Sequence, residues 1–189
     1  MIGDVLASTI VCEQLKQHYP KAQVHFLVDE HTTAVVDGNP FIDEIVVFKK
    51  DYRKRISQFI TFLGSIKKQR YDVVIDLLCK TESSLITLIT GASIRISYPK
   101  WYSKWCYTKT LKHSQNKATA LGTAIDNRLL LLQPLFKAFH KAHLKPRIYL
   151  REEEKREMGN LLNHYGLPKE KPLLMLGILG SGPLKTYPL

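Results

Sequence analysis

The sequence predicts an α/β protein built on a doubly wound parallel sheet. Two observations carry this. Short, near-continuous Val/Ile/Leu runs recur along the chain: VHFLV (24–28), DEIVVF (43–48), YDVVIDLL (71–78), SIRISY (93–98), PRIYL (146–150) and PLLMLGIL (172–179). Such runs suit strands covered on both faces. Segments of helical character separate them, and strand–helix alternation is the signature of that fold class.

The elements follow in order. DVLASTIVCEQLKQHY (4–19) reads as an amphipathic helix, and the residues before it read as the loop that feeds it. A loop of this kind normally follows a strand, and no strand precedes it. A short helix is expected near 31–37 and a longer one over 53–69, RKRISQFITFLGSIKKQ. TESSLITLIT (81–90) is a fourth, capped by Thr81 and stopped by Gly91. Residues 117–139 and 151–165 complete the set. The last opens REEEK, with glutamates where the helix dipole favours them.

The 189 residues suffice for one domain and part of another. Hydrophobic content of 44% and charged content of 24% permit a core of normal size. No apolar run is long enough to span a bilayer, and no signal peptide is visible. Cys12, Cys79 and Cys106 are widely spaced and odd in number, which fits a reducing cytosol rather than a disulfide framework or zinc site. The histidines show no ligand spacing. A net charge of +11 attracts anions: nucleic acid, anionic lipid or phosphorylated substrates. The charge is uneven, with one basic run at Lys49, Lys50, Arg53, Lys54 and Arg55. A second stretch, 95–113, interleaves lysines with Trp101, Tyr102, Trp105 and Tyr107.

In an open parallel sheet, ligands bind beyond the carboxyl ends of the strands. Three strand-to-helix loops therefore matter most. Asp4 lies between Gly3 and an apolar helix. It reads either as an N-cap, worth about 1 kcal/mol, or as a general base taking a proton from a hydroxyl nucleophile. Asp76 ends a strand and could hold a sugar hydroxyl or cap the next helix. GILGSGPLK (177–185) offers glycines whose backbone can approach phosphate, with Ser181 and Lys185 beside them. It is neither a Walker A loop nor GxGxxG. The 95–113 stretch could stack single-stranded nucleic acid, or pack its aromatics on the sheet while its lysines face solvent.

Taken in order, GDVLAST, HYPKAQVHFLV, VVDGNPFIDEIVVF and YDVVIDLL resemble the N-terminal half of the heptosyltransferases, glycosyltransferase family 9. GSGPLKTYP is similar to the family's first loop of the second domain, with Tyr187-Pro188 where Trp-Pro is usual. The resemblance runs the length of the chain. It implies the GT-B arrangement, in which two Rossmann-like domains face each other across a cleft. It also implies an acceptor-side domain over 1–150, an interdomain helix and linker over 151–170, and the start of a nucleotide-sugar-binding domain over 171–189. The family's first strand would be missing before Met1, and the rest of the donor domain after Leu189.

Residue by residue, the resemblance makes Asp4 the catalytic base and Gly3 the glycine that lets the loop approach substrate. Asp76 is a substrate-binding candidate, and Gly180, Ser181 and Lys185 are candidates for donor phosphate. The implied reaction transfers a heptose-like sugar from a nucleoside-diphosphate donor, ADP-heptose-like, to a lipopolysaccharide core or related glycan. It requires no metal and no cofactor. Its expected partners are the nucleotide sugar and an anionic glycolipid, with no nucleic acid, in a cytoplasmic protein with peripheral contact to the inner membrane surface. This chain alone is expected to be inactive. The competing expectations are a basic anion- or nucleic-acid-binding module and a non-functional gene product.

Overall fold

A computed structural model describes residues 2–113, 121–136, 145–167 and Leu174. The chain divides into two compact units, Met1–Tyr149 and Leu150–Leu189.

The first unit runs α1 (Ile2–His18), β1 (His25–Asp29), a 3-10 segment (Glu30–Val35), β2 (Glu44–Phe48), a second 3-10 segment (Lys50–Arg53) and α2 (Ile56–Lys68). It continues with β3 (Val73–Asp76), α3 (Thr81–Ile89), β4 (Ile94–Ser97), a 3-10 segment (Trp101–Cys106), the two-residue β5 (Lys109–Thr110) and α4 (Thr123–Leu130). In the second unit, α5 spans Glu152–His164. Glu152, Glu153 and Glu154 fill its first turn, as the dipole argument requires.

Among the described residues all strand pairing is parallel, as the apolar runs predict. β1 pairs with β2, His25 opposite Glu44 through Asp29 opposite Phe48. β4 lies between β3 and β5. Among the described residues the strands form two sheets, β1-β2 and β3-β4-β5, so β1 and β3 each pair along one edge there. The division falls between β1 and β3.

Side chains cross this division at both ends. His25 Nδ1 lies 3.0 Å from the Tyr71 hydroxyl, just before β3. At the other end Arg53 pairs with Asp29, the last residue of β1, at 3.0 Å and with Glu82, just past β3, at 3.1 Å. The two sheets therefore run the same way, and their carboxyl ends share one edge.

The helices are covered unevenly. α1 does not behave as the amphipathic helix predicted. Ser8 through Cys12 and Gln14 are all buried, so its middle is enclosed on most sides. Ile10 and Val11 pack with Leu129 and Leu132, against Ile75 and Leu77 around β3. The buried hydroxyls turn back onto the helix, Ser8 donating to the Asp4 carbonyl at 2.7 Å and Thr9 to that of Leu6 at 2.8 Å. A second cluster gathers Phe48, Phe62, Ile66 and Ile86. The start of the β1-β2 pair is clamped by Asp43, whose Oδ2 accepts from Val24 N–H at 2.6 Å while its own N–H donates to the Val24 carbonyl at 2.9 Å. Lys16 adds an ion pair at 2.7 Å. The Lys16 bond first, and then the Val24 N–H, hold the Asp43 carboxyl below the usual carboxylate range.

Several boundaries differ from expectation. α2 begins at Ile56 rather than 53, because the chain first makes the separate 3-10 turn Lys50–Arg53 and Arg55 is extended. Thr81 is the first helical residue of α3, and Lys80 is the cap. Ser83 Oγ accepts from Lys80 N–H at 2.9 Å, one half of a capping box. The helix predicted over 117–139 is seen as Thr123–Leu130 and gives way to turns before Pro134, which cannot continue it; 114–120 and 137–144 lie outside the described residues. Residues 146–150 form no strand. They have no ladder partner among the described residues, and Ile148 and Leu150 are exposed. The strand expected over 172–179 lies outside the described residues except for Leu174.

Candidate functional site

Asp4 sits in the first turn of α1, not in a loop and not at an N-cap. The helix already starts at Ile2, so Gly3 is helical as well. A Cβ at Gly3 would meet nothing within 4 Å, so the fold itself does not require glycine there. The Asp4 side chain is 59% exposed. Its carboxylate Oδ1 accepts from Arg128 Nη2 at 3.2 Å. The same guanidinium donates to the Asp4 carbonyl at 3.2 Å, to Ser8 Oγ at 2.9 Å and to the Ala124 carbonyl at 2.8 Å. Arg128 thus ties the first two turns of α1 to α4. A carboxylate held this way is oriented yet open to solvent, and it can take a proton from a neighbouring hydroxyl.

Asp76 ends β3 as predicted, and it is buried. Its Oδ1 accepts from the N–H groups of Leu78 and Cys79 at 2.9 and 3.0 Å, folding the chain into the turn that leads to α3. Its Oδ2 accepts from the Tyr107 hydroxyl at 2.6 Å. Ser84 Oγ lies 2.8 Å from the same hydroxyl. Burial, and then the Asp76 contact, push the Tyr107 phenol far above its ordinary range. Asp76 therefore fixes the β3–α3 turn, and its bonds run to the protein rather than outward.

Gly180, Ser181 and Lys185 lie outside the described residues. The structure thus brings Asp4 together with Arg128 and leaves Asp76 in a separate buried network. Sequence reasoning missed Arg128, and it singled out Tyr107 only within the aromatic stretch 95–113, not as a partner of Asp76. A single Arg in a mixed helix, far along the chain from its partner Asp4, carries no local signal. The basic run at 49–55 is split: Arg53 is consumed by Asp29 and Glu82 and lies over the Phe48 ring at 4.8 Å, while Lys49, Lys50, Lys54 and Arg55 stay exposed. Beside it a groove of about 290 Å³ is lined by Tyr52, Ser57, Gln58, Thr61, Phe62 and Ser65. Among the described residues no group of three or more His, Cys, Asp or Glu is placed to hold a metal ion, and no helix is long and apolar enough to cross a membrane.

No family model matches the sequence. Curated relatives do. Lipopolysaccharide heptosyltransferase 3 of Escherichia coli is 23% identical over 137 residues, covering 70% of this chain and 40% of the relative. Lipopolysaccharide heptosyltransferase 1 of Campylobacter coli is 28% identical over 89 residues, covering 47% of this chain and 25% of the relative. The chain therefore spans less than half the length of these relatives. Among solved structures, the glycosyl transferase family 9 protein from Veillonella parvula superposes with a TM-score of 0.81 at 22% identity, over 100% of this chain and 53% of that one. E. coli heptosyltransferase WaaC, solved with ADP, gives a TM-score of 0.62 at 17% identity over 88% of this chain and 62% of that one. In sequence and in fold, this chain resembles the lipopolysaccharide heptosyltransferases of glycosyltransferase family 9.

Proposed function

We propose that this chain forms the acceptor-side part of a glycosyltransferase that moves a heptose-like sugar from a nucleoside-diphosphate donor to a lipopolysaccharide core or related glycan. The observation that carries the reading is the likeness of the whole chain to a family 9 structure, together with the matches to lipopolysaccharide heptosyltransferases. Asp4 is the base that takes the proton from the acceptor hydroxyl as that oxygen attacks the anomeric carbon and the nucleoside diphosphate leaves. Arg128 positions Asp4 from α4. Gly180, Ser181 and Lys185 supply N–H, hydroxyl and ammonium groups for the leaving diphosphate. Domain roles follow the same reading: acceptor side over 1–150, linker over 151–170 and donor side from 171. Residues 1–189 alone do not turn over, since the solved neighbour extends to nearly twice this length.

The intact mass of the protein from its source cells fixes which chain to assay. In that protein, Asp4→Asn lowers kcat by roughly 10²–10⁴-fold, and Lys185→Ala raises KM for the nucleotide sugar. Unchanged turnover in Asp4→Asn would remove Asp4 as the base. Efficient transfer by residues 1–189 would overturn the claim of inactivity. A second reading, a basic polyanion-binding module, is favoured by the net charge of +11. It requires steeply salt-dependent binding to generic polyanions that is indifferent to Asp4.

A further inference from the structure

The segment Trp101–Cys106 has no part in the chemistry above, and it presents an unusual surface. Ser103 and Cys106, three residues apart, are each 3% exposed and fix the segment to the body of the unit. The residues between and before them face outward. Trp101 is 89% exposed, Trp105 68% and Tyr102 39%, and Lys100 and Lys104 are exposed beside them. Trp101 stands edge-on to Tyr102 at 5.7 Å, and Lys100 Nζ lies 5.8 Å from the centre of the Tyr102 ring. The Trp105 indole N–H is already used, donating to the Tyr102 carbonyl at 2.9 Å. No Asp or Glu occurs between Glu82 and Asp126, so no carboxylate from this part of the chain offsets the lysines.

We propose that this segment is a membrane-interface anchor that seats Trp101 and Trp105 among the headgroups of an anionic bilayer, with Lys100 and Lys104 on the phosphates. The proposal deepens the glycolipid reading given above and rests on it for its biological sense. Its physical basis is independent. Indole rings belong at the headgroup level, where an apolar body and a polar edge are both accommodated. The Trp105 ring can leave water without stranding its donor, because that donor is bonded within the segment. Lysines at the same surface match the charge of anionic lipid. A segment pinned by Ser103 and Cys106 loses little conformational freedom on binding. The segment follows β4, so it lies at the carboxyl edge of the sheets, with the exposed Lys49, Lys50, Lys54 and Arg55 after β2 at the same edge. A nucleic-acid platform would use the same residue types, but it stacks bases on exposed ring faces rather than immersing the rings.

The chain contains two tryptophans, and both are in this segment, so its indole fluorescence reports on this surface alone. The experiment titrates the 189-residue chain with vesicles of equal parts phosphatidylcholine and phosphatidylglycerol, and with phosphatidylcholine alone. The expected result is a blue shift and co-sedimentation with the anionic vesicles only, weakened by salt. Lys100→Glu/Lys104→Glu lowers partitioning by roughly tenfold or more. Trp101→Ala/Trp105→Ala lowers co-sedimentation, while circular dichroism stays that of the parent. The proposal is overturned by an unshifted spectrum on anionic vesicles, by equal sedimentation of the variants, or by tighter binding and quenching with single-stranded oligonucleotide than with vesicles. Vesicle binding involves no donor sugar. Sugar transfer by the intact protein with no vesicle binding by this chain would sink this proposal and leave the transferase reading standing; vesicle binding by this chain with no transfer by the intact protein would do the reverse.

Discussion

At the scale of single residues, the first unit is organised by a few polar side chains that each make several bonds. Asp43 ties Lys16 to Val24, Arg53 ties β1 to α3, and Arg128 ties α1 to α4. The Asp76–Tyr107–Ser84 network is the most buried of them. Tyr107→Phe removes one donor from the Asp76 carboxylate, which keeps its two backbone bonds, and is expected to cost about 1–2 kcal/mol in denaturant unfolding. The pH dependence has a definite sign. The folded phenol binds its proton more tightly than the unfolded one, because burial and then Asp76 raise its pKa. Between the unfolded value near ~10 and the higher folded value, the folded state holds more protons, so stability falls as pH rises. The contribution is fully present below pH ~10. Tyr98, pushed up to about 12 by burial, adds a second component of the same sign. A urea series across alkaline pH should show a shallower loss in Tyr107→Phe than in the parent; identical slopes would exclude Tyr107 as a source. Cys12, buried in α1 with its thiol raised to about 12 by desolvation, is correspondingly inert.

At the scale of elements, helix ends account for most of the local design. α3 opens with the Ser83 bond to Lys80 N–H and closes at Gly91, whose φ of +69° lies in the left-handed region. A Cβ at Gly91 would meet no atom within 4 Å, so packing does not oppose a substitution and the backbone alone does. Gly91→Ala is therefore expected to destabilise by about 1 kcal/mol with no change in the surrounding core. Thermal melts of the purified variant check this, and a Tm equal to the parent's would mean that the turn relaxes at no cost. Gly3 shares the open surroundings but sits in a helix without that backbone demand, so its reading rests on approach to substrate and not on fold.

At the scale of the whole molecule, the parted sheet is the dominant feature. Among the described residues β1 and β3 each bond along one edge, and the other edge of each presents backbone groups without a strand partner there. Hydrogen exchange should resolve this as a two-class pattern. Amides of Val73–Asp76 directed at β4 exchange slowly, and those directed away exchange markedly faster. Uniform slow exchange along β3 would mean that some other group covers its free edge. Side-chain links at both ends of the division, His25 with Tyr71 and Arg53 with Asp29 and Glu82, hold the two sheets in one unit despite it.

The sequence by itself determined the fold class, four of the strands and the order of the helices. These depend on local patterning: apolar runs, glycine stops and capping groups act over a few residues and survive without knowledge of distant partners. It also determined that Asp4 and Asp76 stand at strand or helix ends, where ligand chemistry gathers. Only the tertiary structure decided what those carboxylates touch. Arg128 reaches Asp4 from α4, and Tyr107 reaches Asp76 from beyond β4, pairings made by chain crossings that no spacing records. Tertiary contact also decided that α1 is enclosed rather than striped, that Arg53 leaves the basic run for two carboxylates, and that 146–150 finds no ladder among the described residues. In each case contacts with distant groups outweigh local preference, because a strand needs an edge and a guanidinium placed between two carboxylates pairs with both.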